Sequence, residues 1–351
     1  MKKTTILLAA LLVFALILGA CTTPAPAEEA PVEEPAVVEE APAEEPAPAA
    51  EEVMEEETGF DASIMADDNY NIAIVVKNFA SAFWAQHVDG ANQAATDLGV
   101  TVGSYAPEKP ENIEEQIAIL EDLITKGVQC IALAPTNSES IISGVVKVNE
   151  AGIPIVYDNT MGPKEEPYLA YVGIDNYDVG VELGHYVAEA MGGKGNLLIL
   201  EGVVGQSTSD LRSQGARDAL ATYPDITVSS QPANWDATQA ADITTNELTR
   251  LGGNLNAIIA AGAGMSEAAA EAVKAYGVAM EDIVIGSFDV TAAVVEAIEN
   301  GDVDFTINQQ PYWQAYYSIA ACVQHLNGSE VEQNIKTPVA FVTLENLDEH
   351  R

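Results

Sequence analysis

From residue 71 onward, short apolar runs alternate with longer amphipathic segments along the chain. Ile72–Val76 is the first run, and its β-branched residues predict a strand that is covered on both faces of a parallel sheet. Ala82 onward is predicted to be helical, so Lys77 to Ser81 form the turn between strand and helix. Open α/β folds bind their ligands beside such turns, at the carboxyl ends of parallel strands.

The same alternation continues to the end of the chain. The predicted strands are Ile72–Val76, Val100–Tyr105, Cys130–Ala134, Ile153–Tyr157, Leu169–Ile174, Asn196–Leu200, Ile226–Ser230, Ala257–Ala260, Ile283–Ser287, 305–311 and Val339–Val342. The predicted helices lie near 82–98, 111–126, 138–151, 176–191, 207–221, 236–251, 265–276, 291–299 and 312–326. Strands that alternate with helices predict a doubly wound parallel sheet. Because the pattern restarts near Asn196, we expect two α/β lobes of the same architecture.

The amino terminus carries an export signal, which comprises Met1-Lys2-Lys3 and the apolar run Ile6–Leu18. The sequence Leu18-Gly19-Ala20-Cys21 that ends it resembles the lipobox of bacterial lipoproteins. That resemblance implies a signal peptide over 1–20 and a lipid anchor on Cys21. The alternative is a plain signal peptide with an incidental cysteine.

Residues 21–70 are predicted to be a disordered linker that holds the folded part away from a membrane. Residues 22–58 contain 13 Glu and no Lys or Arg, and they consist largely of Pro, Ala and Glu, so they offer little apolar surface to bury. From residue 71 onward, the chain has 38 acidic residues and 12 basic ones. Nucleic acid is therefore excluded as a partner, because binding it requires a basic surface.

The remaining cysteines and the histidines give no metal site. Cys130 and Cys322 lie in a predicted strand and a predicted helix, and we expect them to be buried free thiols, with a bridge between them as the open alternative. The histidines lack the spacing or cysteine partners of a zinc site, and surface or hydrogen-bonded positions are expected for them: His87, His185, His325 and His350.

No cofactor motif is complete, so the sequence predicts neither an enzyme nor a cofactor. Gly262-Ala263-Gly264 follows a predicted strand, but Glu267 occupies the third glycine position of a dinucleotide motif. The sequence 202–207 lacks the Lys-Ser/Thr end of a phosphate loop. An enzyme with dinucleotide-binding lobes remains the weakest alternative.

Aromatic and acidic side chains follow several predicted strands and suit a small polyhydroxylated ligand. Phe83 or Trp84 from one lobe and Trp235 from the other could sandwich an apolar sugar face, while Asp158 and Asp289 accept hydrogen bonds from hydroxyls. Structural roles are the alternative: the aromatic residues could face the core, and the aspartates could serve turns or caps.

A family resemblance covers nearly the whole exported part. The sequences IAIVV, DGANQAATDLG, IALAPTNSES, GIPIVYDN, VGIDNYDVG, IGSFD and INQQPYWQAY, in this order, resemble type I solute-binding proteins of ABC transporters, specifically the ribose-binding-like group. The resemblance implies two Rossmann-like lobes joined by three crossing strands. The crossings fall at about Gly173–Asn176, Gln309–Gln310 and Ala340–Phe341, which gives a first lobe of 71–174 and 310–340 and a second lobe of 175–309 and 341–351.

By this resemblance the protein is the extracytoplasmic substrate-binding component of an ABC importer. It would capture a small sugar or polyol between the lobes by hinge closure and deliver it to a permease, held at the membrane through Cys21. A sensor that presents the closed form to a signalling partner remains open. The fold's transcription repressors are disfavoured by the export signal and by the lack of a helix-turn-helix before residue 71.

The resemblance also implies a set of ligand contacts. They are Ser81, Phe83, Trp84, Ala134, Asp158 and Asn159 in the first lobe, Asp210, Trp235, Gly262 and Asp289 in the second, and Gln309 at the hinge.

The implied site departs from that of ribose binders, which have asparagine at the positions of Ser81, Ala134 and Gly262 and arginine at those of Asn159 and Asp210. The site is therefore expected to lack two guanidinium donors that ribose binders have. Lys77, Asp158, Asp210 and 261–263 resemble positions of autoinducer-2 and rhamnose receptors. A receptor for autoinducer-2 or a deoxysugar is thus an alternative, with Lys77 as the positive partner in an acidic site. For Asp210, charge complementarity at a helix start is a further alternative.

Overall fold

The structure, a computed structural model, describes residues 64–350. The predicted signal peptide, Cys21 and most of the predicted linker lie outside these residues. The strands are β1 Asn71–Val75, β2 Thr101–Tyr105, β3 Cys130–Leu133, β4 Ile155–Asp158, β5 Ala170–Gly173, β6 Lys194–Glu201, β7 Asp225–Pro232, β8 Ala257–Ala260, β9 Val284–Phe288, β10 Phe305–Asn308, β11 Asn334–Lys336 and β12 Ala340–Thr343. The α-helices are α1 Ala82–Leu98, α2 Ile113–Lys126, α3 Ile142–Glu150, α4 Asn176–Ala190, α5 Ser207–Leu220, α6 Ala237–Leu251, α7 Ala263–Tyr276, α8 Ala292–Asn300 and α9 Pro311–Leu326.

These strands form two six-stranded sheets with the same winding. Their orders are β11-β5-β4-β3-β1-β2 and β12-β10-β9-β8-β6-β7. The pairs are parallel except β10 with β12, which is antiparallel. The strand order reverses beside β1 in one sheet and beside β6 in the other, so loops diverge there and leave a crevice at the carboxyl ends. The predicted doubly wound α/β fold is confirmed.

Helices cover both faces of each sheet. Helices α1 and α9 bury one face of the first sheet, and α2 and α3 bury the other. We call this unit the first lobe. Helices α6, α7 and α8 cover one face of the second sheet, while α4 and α5 cover the other, and we call this unit the second lobe.

Local capping explains where several helices start. The Ser81 side chain accepts a hydrogen bond from the Phe83 backbone, and Asp236 caps α6 through the Gln239 backbone. The helix that was predicted near 138–151 begins later, at Ile142. Asn137 accepts from the Glu139 and Ser140 backbones, which forms a turn and delays α3.

Gly90 allows α1 and α9 to pack closely. A Cβ atom at this position would lie 2.0 Å from the Tyr312 carbonyl oxygen, a distance that no side chain can accept. A glycine is therefore required where the two helices touch, and this contact seats α9, which follows the second lobe in sequence, on the first lobe.

The expectation that Cys130 and Cys322 are free thiols is wrong. They form a disulfide between β3 and α9, with their Cα atoms 5.8 Å apart across 192 residues of sequence. Both cysteines are fully buried. The bridge ties α9 covalently to the sheet of the first lobe, and such bonds persist in oxidising, extracytoplasmic compartments.

The chain passes between the two sheets three times, at 174–175, 309–310 and 337–339. Ala340 already pairs with Asn308 in the second sheet, so the third crossing lies just before its predicted place. Strand β11, on the edge of the first sheet, has no counterpart among the predicted strands. Within 64–350 we find no helix that combines the length and apolar character needed to cross a membrane.

Candidate ligand-binding site

A cavity of about 410 Å³ lies between the two lobes. This volume falls within the range of small-molecule sites. Its wall comes from loops at the carboxyl ends of strands in both sheets, as the fold predicts. Nine residues that were predicted as contacts line it: Lys77, Ser81, Phe83, Trp84, Asn159, Trp235, Gly262, Asp289 and Gln309.

Aromatic rings contribute to the wall from both lobes. Phe83 and Trp84 meet edge to face with their ring centroids 4.9 Å apart, and both also belong to the core of the first lobe. They therefore combine the core role and the cavity role that were alternatives in the sequence. Trp235 lies against the backbone of Gly202, where a Cβ atom would come within 2.0 Å of the indole ring. The glycine thus makes room for this ring.

Polar groups from both lobes meet next to the second crossing. Gln309 donates to Asp289 Oδ1 at 2.6 Å and accepts from Asn159 Nδ2 at 3.3 Å, so one side chain links the two lobes. Burial raises the pKa of Asp289, and the positive charge of Arg212 opposes this shift. We call Asn159, Arg212, Asp289 and Gln309 the hinge-side cluster.

Arg212 is a cavity residue that sequence reasoning missed. Its guanidinium donates to the Ala261 carbonyl at 2.6 Å and to Asn176 at 2.8 Å, and it lies 3.5 Å from the Phe288 ring centroid. Its Nε has no hydrogen-bond partner within the described residues. Burial lowers the pKa of Arg212 to about 10, and the Asp289 charge opposes that shift. The expected loss of both guanidinium donors is therefore wrong, because Arg212 supplies one.

Lys77 lies at the end of β1 and is buried. Its ammonium donates to Gln206 at 2.8 Å and lies 5.7 Å from the Trp84 ring centroid. Burial lowers the pKa of Lys77 to about 8, an effect that Glu111 opposes. Lys77 thus brings a positive charge to the cavity, as the sequence suggested.

Asp158 is fully buried and does not line the cavity. Its Oδ1 lies 3.5 Å from His87 Nε2, and neither carboxylate oxygen has a hydrogen-bond partner among the described residues. His87 is also fully buried, with its ring centroid 4.7 Å from both Phe83 and Trp84. The pair therefore lies beneath the aromatic wall of the first lobe.

Two further predicted contacts lie away from the cavity. Asp210 is exposed in the first turn of α5, where its carboxylate accepts from the Gly205 backbone at 3.0 Å. Partial desolvation of its carboxylate raises the pKa of Asp210, and this hydrogen bond opposes the shift. Ala134 is buried, and its carbonyl accepts from Gln116. For Asp210 this geometry favours the helix-start role that was the alternative.

Unusual backbone conformations concentrate at the cavity. Within the described chain, six non-glycine residues have φ between 56° and 74°, and five of them line the cavity: Glu111, Asn159, Asn234, Trp235 and Asp289. The sixth, Gln310, follows Gln309 at the second crossing. Such a conformation costs on the order of 1–3 kcal/mol and persists where the surroundings enforce it, typically at functional sites.

Besides Arg212, the sequence reasoning missed Glu111 and Gln206. Arg212 lies one helical turn after Thr208, so a helix-face argument would have placed both residues on the same wall. No local pattern marks Glu111 or Gln206, because their partners belong to distant loops. Within residues 64–350 we find no group of three or more His, Cys, Asp or Glu side chains that could hold a metal ion.

Comparisons with known proteins agree with this geometry. The profile of a family described as periplasmic binding protein domain matches residues 72–330. The ribose import binding protein of Haemophilus influenzae is 27% identical over 81% of this chain and 95% of its own. The D-allose-binding periplasmic protein of Escherichia coli is 31% identical over 68% of this chain and 79% of its own.

A solved structure gives the same result. An ABC transporter periplasmic solute-binding protein from Actinobacillus succinogenes, with bound D-allose, matches with a TM-score of 0.75 and 29% identity over 80% of this chain and all of that one. Membership of this family implies an extracytoplasmic location. The chain belongs to the periplasmic binding protein family, in its ribose-binding-like, ABC transporter group.

Proposed function

We propose that this protein is the extracytoplasmic substrate-binding component of an ABC importer and captures a monosaccharide or a related polyol between its lobes. The observation that carries the proposal is the make-up of the cavity, in which aromatic rings from both lobes accompany half-buried acids and buried amide and guanidinium groups. Aromatic faces suit the apolar faces of a sugar, and fixed polar groups select the orientation of its hydroxyls. The sugar-binding relatives support this ligand class.

The proposed contacts combine the predicted residues with one that the structure adds. They are Lys77, Ser81, Phe83, Trp84, Asp158, Asn159, Arg212, Trp235, Asp289 and Gln309. Asp158 is included although it lies behind the wall, because a buried carboxylate without a hydrogen-bond donor requires one, and a ligand hydroxyl would serve. For Asp210 we propose a capping role instead.

Closure of the lobes would complete the site. The chain crosses between the sheets at three short segments, and bending confined to them would bring the two walls together around a ligand. We propose the lobes as predicted, 71–174 with 310–340 and 175–309 with 341–351, except that Ala340 belongs to the second lobe, where it pairs with Asn308. A ligand that contacts both walls favours the closed form through those contacts.

A receptor for autoinducer-2 or a deoxysugar is the second candidate. Lys77 favours it, because the resemblance to those receptors included this lysine, and its ammonium lies at the cavity wall. The position of Asp210 outside the wall counts against it, since the resemblance to those receptors included this aspartate. A role in sensing shares the same closed form. We also propose that Cys21 carries the lipid anchor and that a permease is the partner.

Isothermal titration calorimetry against D-ribose, D-allose, xylitol, myo-inositol, L-rhamnose and autoinducer-2 tests the proposal. We expect 1:1 binding of at least one sugar or polyol. Binding of autoinducer-2 or L-rhamnose alone would transfer the assignment to the second candidate. Absence of binding to every one of these compounds would contradict the proposed function.

A further inference from the structure

Gln206 lies between the two lobes and has no exposed surface. It belongs to the second lobe, where it immediately precedes α5. Its Oε1 accepts from Lys77 Nζ at 2.8 Å and from Trp235 Nε1 at 2.9 Å. Its Nε2 donates to the Thr136 carbonyl at 2.8 Å and to the Glu111 carboxylate. Three of these four partners, Lys77, Glu111 and Thr136, belong to the first lobe.

The chemistry of the partners fixes the orientation of the amide. An ammonium and an indole N–H can only donate, while a backbone carbonyl and an ionised carboxylate can only accept. The Gln206 amide offers two donors and two acceptor sites, and the four partners use all of them. Gln206 therefore has no remaining capacity to bind a ligand.

The partners of Gln206, by contrast, face the cavity. Lys77, Glu111 and Trp235 line its wall, whereas Gln206 does not. Glu111 and Trp235 also have positive φ, so each holds a conformation that requires support from its surroundings. The hydrogen bonds from Gln206 provide such support.

Backbone contacts on either side of Gln206 also join the second lobe to the first. The Ser138 backbone of the first lobe donates to the Gly205 carbonyl at 2.9 Å, and the Ser207 backbone donates to Ser138 Oγ at 2.9 Å. The start of α5 is therefore docked on the first lobe in this structure, and a separation of the lobes would break this contact.

From these contacts we propose that Gln206 is a positioning residue for the ligand site, which fixes Lys77, Glu111 and Trp235 in their binding conformations when the lobes close. This inference rests on the proposed function and adds a residue that touches no ligand. Part of the site is then assembled by closure itself. A ligand that occupies the closed cavity is retained by these protein contacts as well as by its own.

The substitution Q206E tests this role, because a carboxylate has the shape of the amide but only acceptors at neutral pH. It keeps the acceptor for Lys77 and Trp235 and places an oxygen against the Thr136 carbonyl and Glu111. With D-allose and D-ribose as probes, we expect binding at pH 7.5 to weaken at least tenfold, mainly through faster dissociation. The matched control is Q93E, since exposed Gln93 also donates to a carboxylate, that of Asp97, far from the cavity.

Protonation should rescue the variant. At pH 5.5 the introduced carboxyl takes up a proton more readily than at pH 7.5; Glu111 beside it favours protonation and the Lys77 ammonium opposes it. Its single O–H can then donate to the Thr136 carbonyl or to Glu111, so the affinity of Q206E relative to that of the unchanged protein should partly recover between pH 7.5 and pH 5.5. A loss of stability alone would not produce this recovery. If Q206E does not fold, Q206M removes all four bonds without adding charge, and we expect the same weakening with no recovery at pH 5.5.

A second measurement does not depend on any sugar. The chain has three tryptophans, so the indole N–H signals can be assigned by NMR with single Trp→Phe variants. We expect Q206M to shift the Trp235 indole signal and leave that of Trp313 in place. If neither sugar binds the unchanged protein, the proposed function fails for these sugars while the indole signal still decides the role of Gln206.

Three results would overturn the inference. They are unchanged affinity in Q206E, a loss of affinity relative to the unchanged protein that is as large at pH 5.5 as at pH 7.5, and a Trp235 signal that is identical in Q206M and the unchanged protein.

Discussion

Two groups of polar residues border the same cavity but use their hydrogen-bonding capacity differently. In the hinge-side cluster, Arg212 Nε has no hydrogen-bond partner in the described part of the chain, and Asp289 is held beside Arg212 and Gln309. At Gln206 every donor and acceptor of the amide is used by the protein. The hinge-side cluster can therefore form hydrogen bonds with a ligand, whereas Gln206 can only hold the residues of the cavity wall in place.

This difference assigns ligand recognition to the hinge-side cluster and contact between the lobes to Gln206. A buried charged group with spare capacity discriminates strongly, since a ligand that fails to pair with it leaves it unpaired. A saturated group contributes nothing to that discrimination, but its bonds across the lobes slow the release of whatever is inside. We therefore expect substitutions in the hinge-side cluster to change which ligands bind and substitutions around Gln206 to change how long they stay.

The largest effect is expected from D289A. The substitution removes the carboxylate opposite Arg212 and leaves a buried guanidinium without its counter-charge. Loss of a charged acceptor for a ligand hydroxyl costs about 1.5–3 kcal/mol, which corresponds to roughly tenfold to 150-fold in affinity. Calorimetry with D-allose and D-ribose measures it.

The matched control for D289A is D210A, which removes an aspartate that the sequence also predicted as a contact. Because Asp210 caps a loop outside the cavity, we expect at most a small loss of stability and an unchanged affinity. Equal weakening in both variants would contradict the distinction between these two aspartates. Unchanged affinity in D289A would remove it from the site.

A smaller effect is expected from Trp235, which has two roles. Its ring lines the cavity, and its Nε1 donates to Gln206. W235A should weaken sugar binding roughly tenfold or more, since an aromatic contact is lost together with a hydrogen bond. W235F keeps a smaller aromatic ring and removes the N–H; for the lost hydrogen bond about 0.5–1.5 kcal/mol, or two- to tenfold, is expected. Stopped-flow fluorescence of the remaining tryptophans measures the rates. An affinity of W235F equal to that of W235A would show that the ring contributes nothing.

Lys77 should mainly affect how the free energy of unfolding depends on pH. Its pKa is lowered from 10.5 to about 8 in the folded protein, so between these values the unfolded chain binds more protons than the folded one. Stability therefore rises with pH across this window, and below about pH 8 the buried charge costs on the order of 3 kcal/mol. The substitution K77M should remove this rise, with a change in sugar affinity of only a few fold. Urea unfolding of both proteins at pH 7, 8, 9 and 10 measures the difference, and parallel curves would contradict it.

Local sequence predicted the parts of the site that depend on one strand and the loop after it. The apolar run after Asn71 and the cap at Ser81 place Phe83 and Trp84 at the cavity, since a strand and its following helix fix the turn between them. The same reasoning placed Asp289 and Gln309 at the ends of β9 and β10.

Residues whose role depends on partners elsewhere could not be predicted. Choosing between Asp210 and Arg212 requires the rotation of α5 about its axis, because residues two positions apart on a helix point in directions about 200° apart. The four partners of Gln206 come from four separate loops, and two cysteines 192 residues apart gave no signal in their spacing. These contacts are set by how the lobes and helices dock, which a local pattern does not encode.

The smallest effect on binding is expected from the disulfide. The double substitution C130A/C322A removes a bridge at the start of β3, and the cavity lies at the opposite end of this strand. We expect a loss of about 2–4 kcal/mol in the free energy of unfolding and an unchanged affinity for sugar. Denaturant unfolding with parallel calorimetry separates the two quantities. A strong loss of affinity would place the bridge among the features that shape the site.

Capture of a ligand between two closing lobes is tested most directly by small-angle X-ray scattering of the protein with and without saturating D-allose or D-ribose, whichever gives 1:1 calorimetric binding. We expect the sugar to reduce the radius of gyration, and Q206M to show a larger radius than the unchanged protein at the same sugar concentration. A sugar that binds 1:1 and leaves the radius of gyration unchanged would contradict capture by closure.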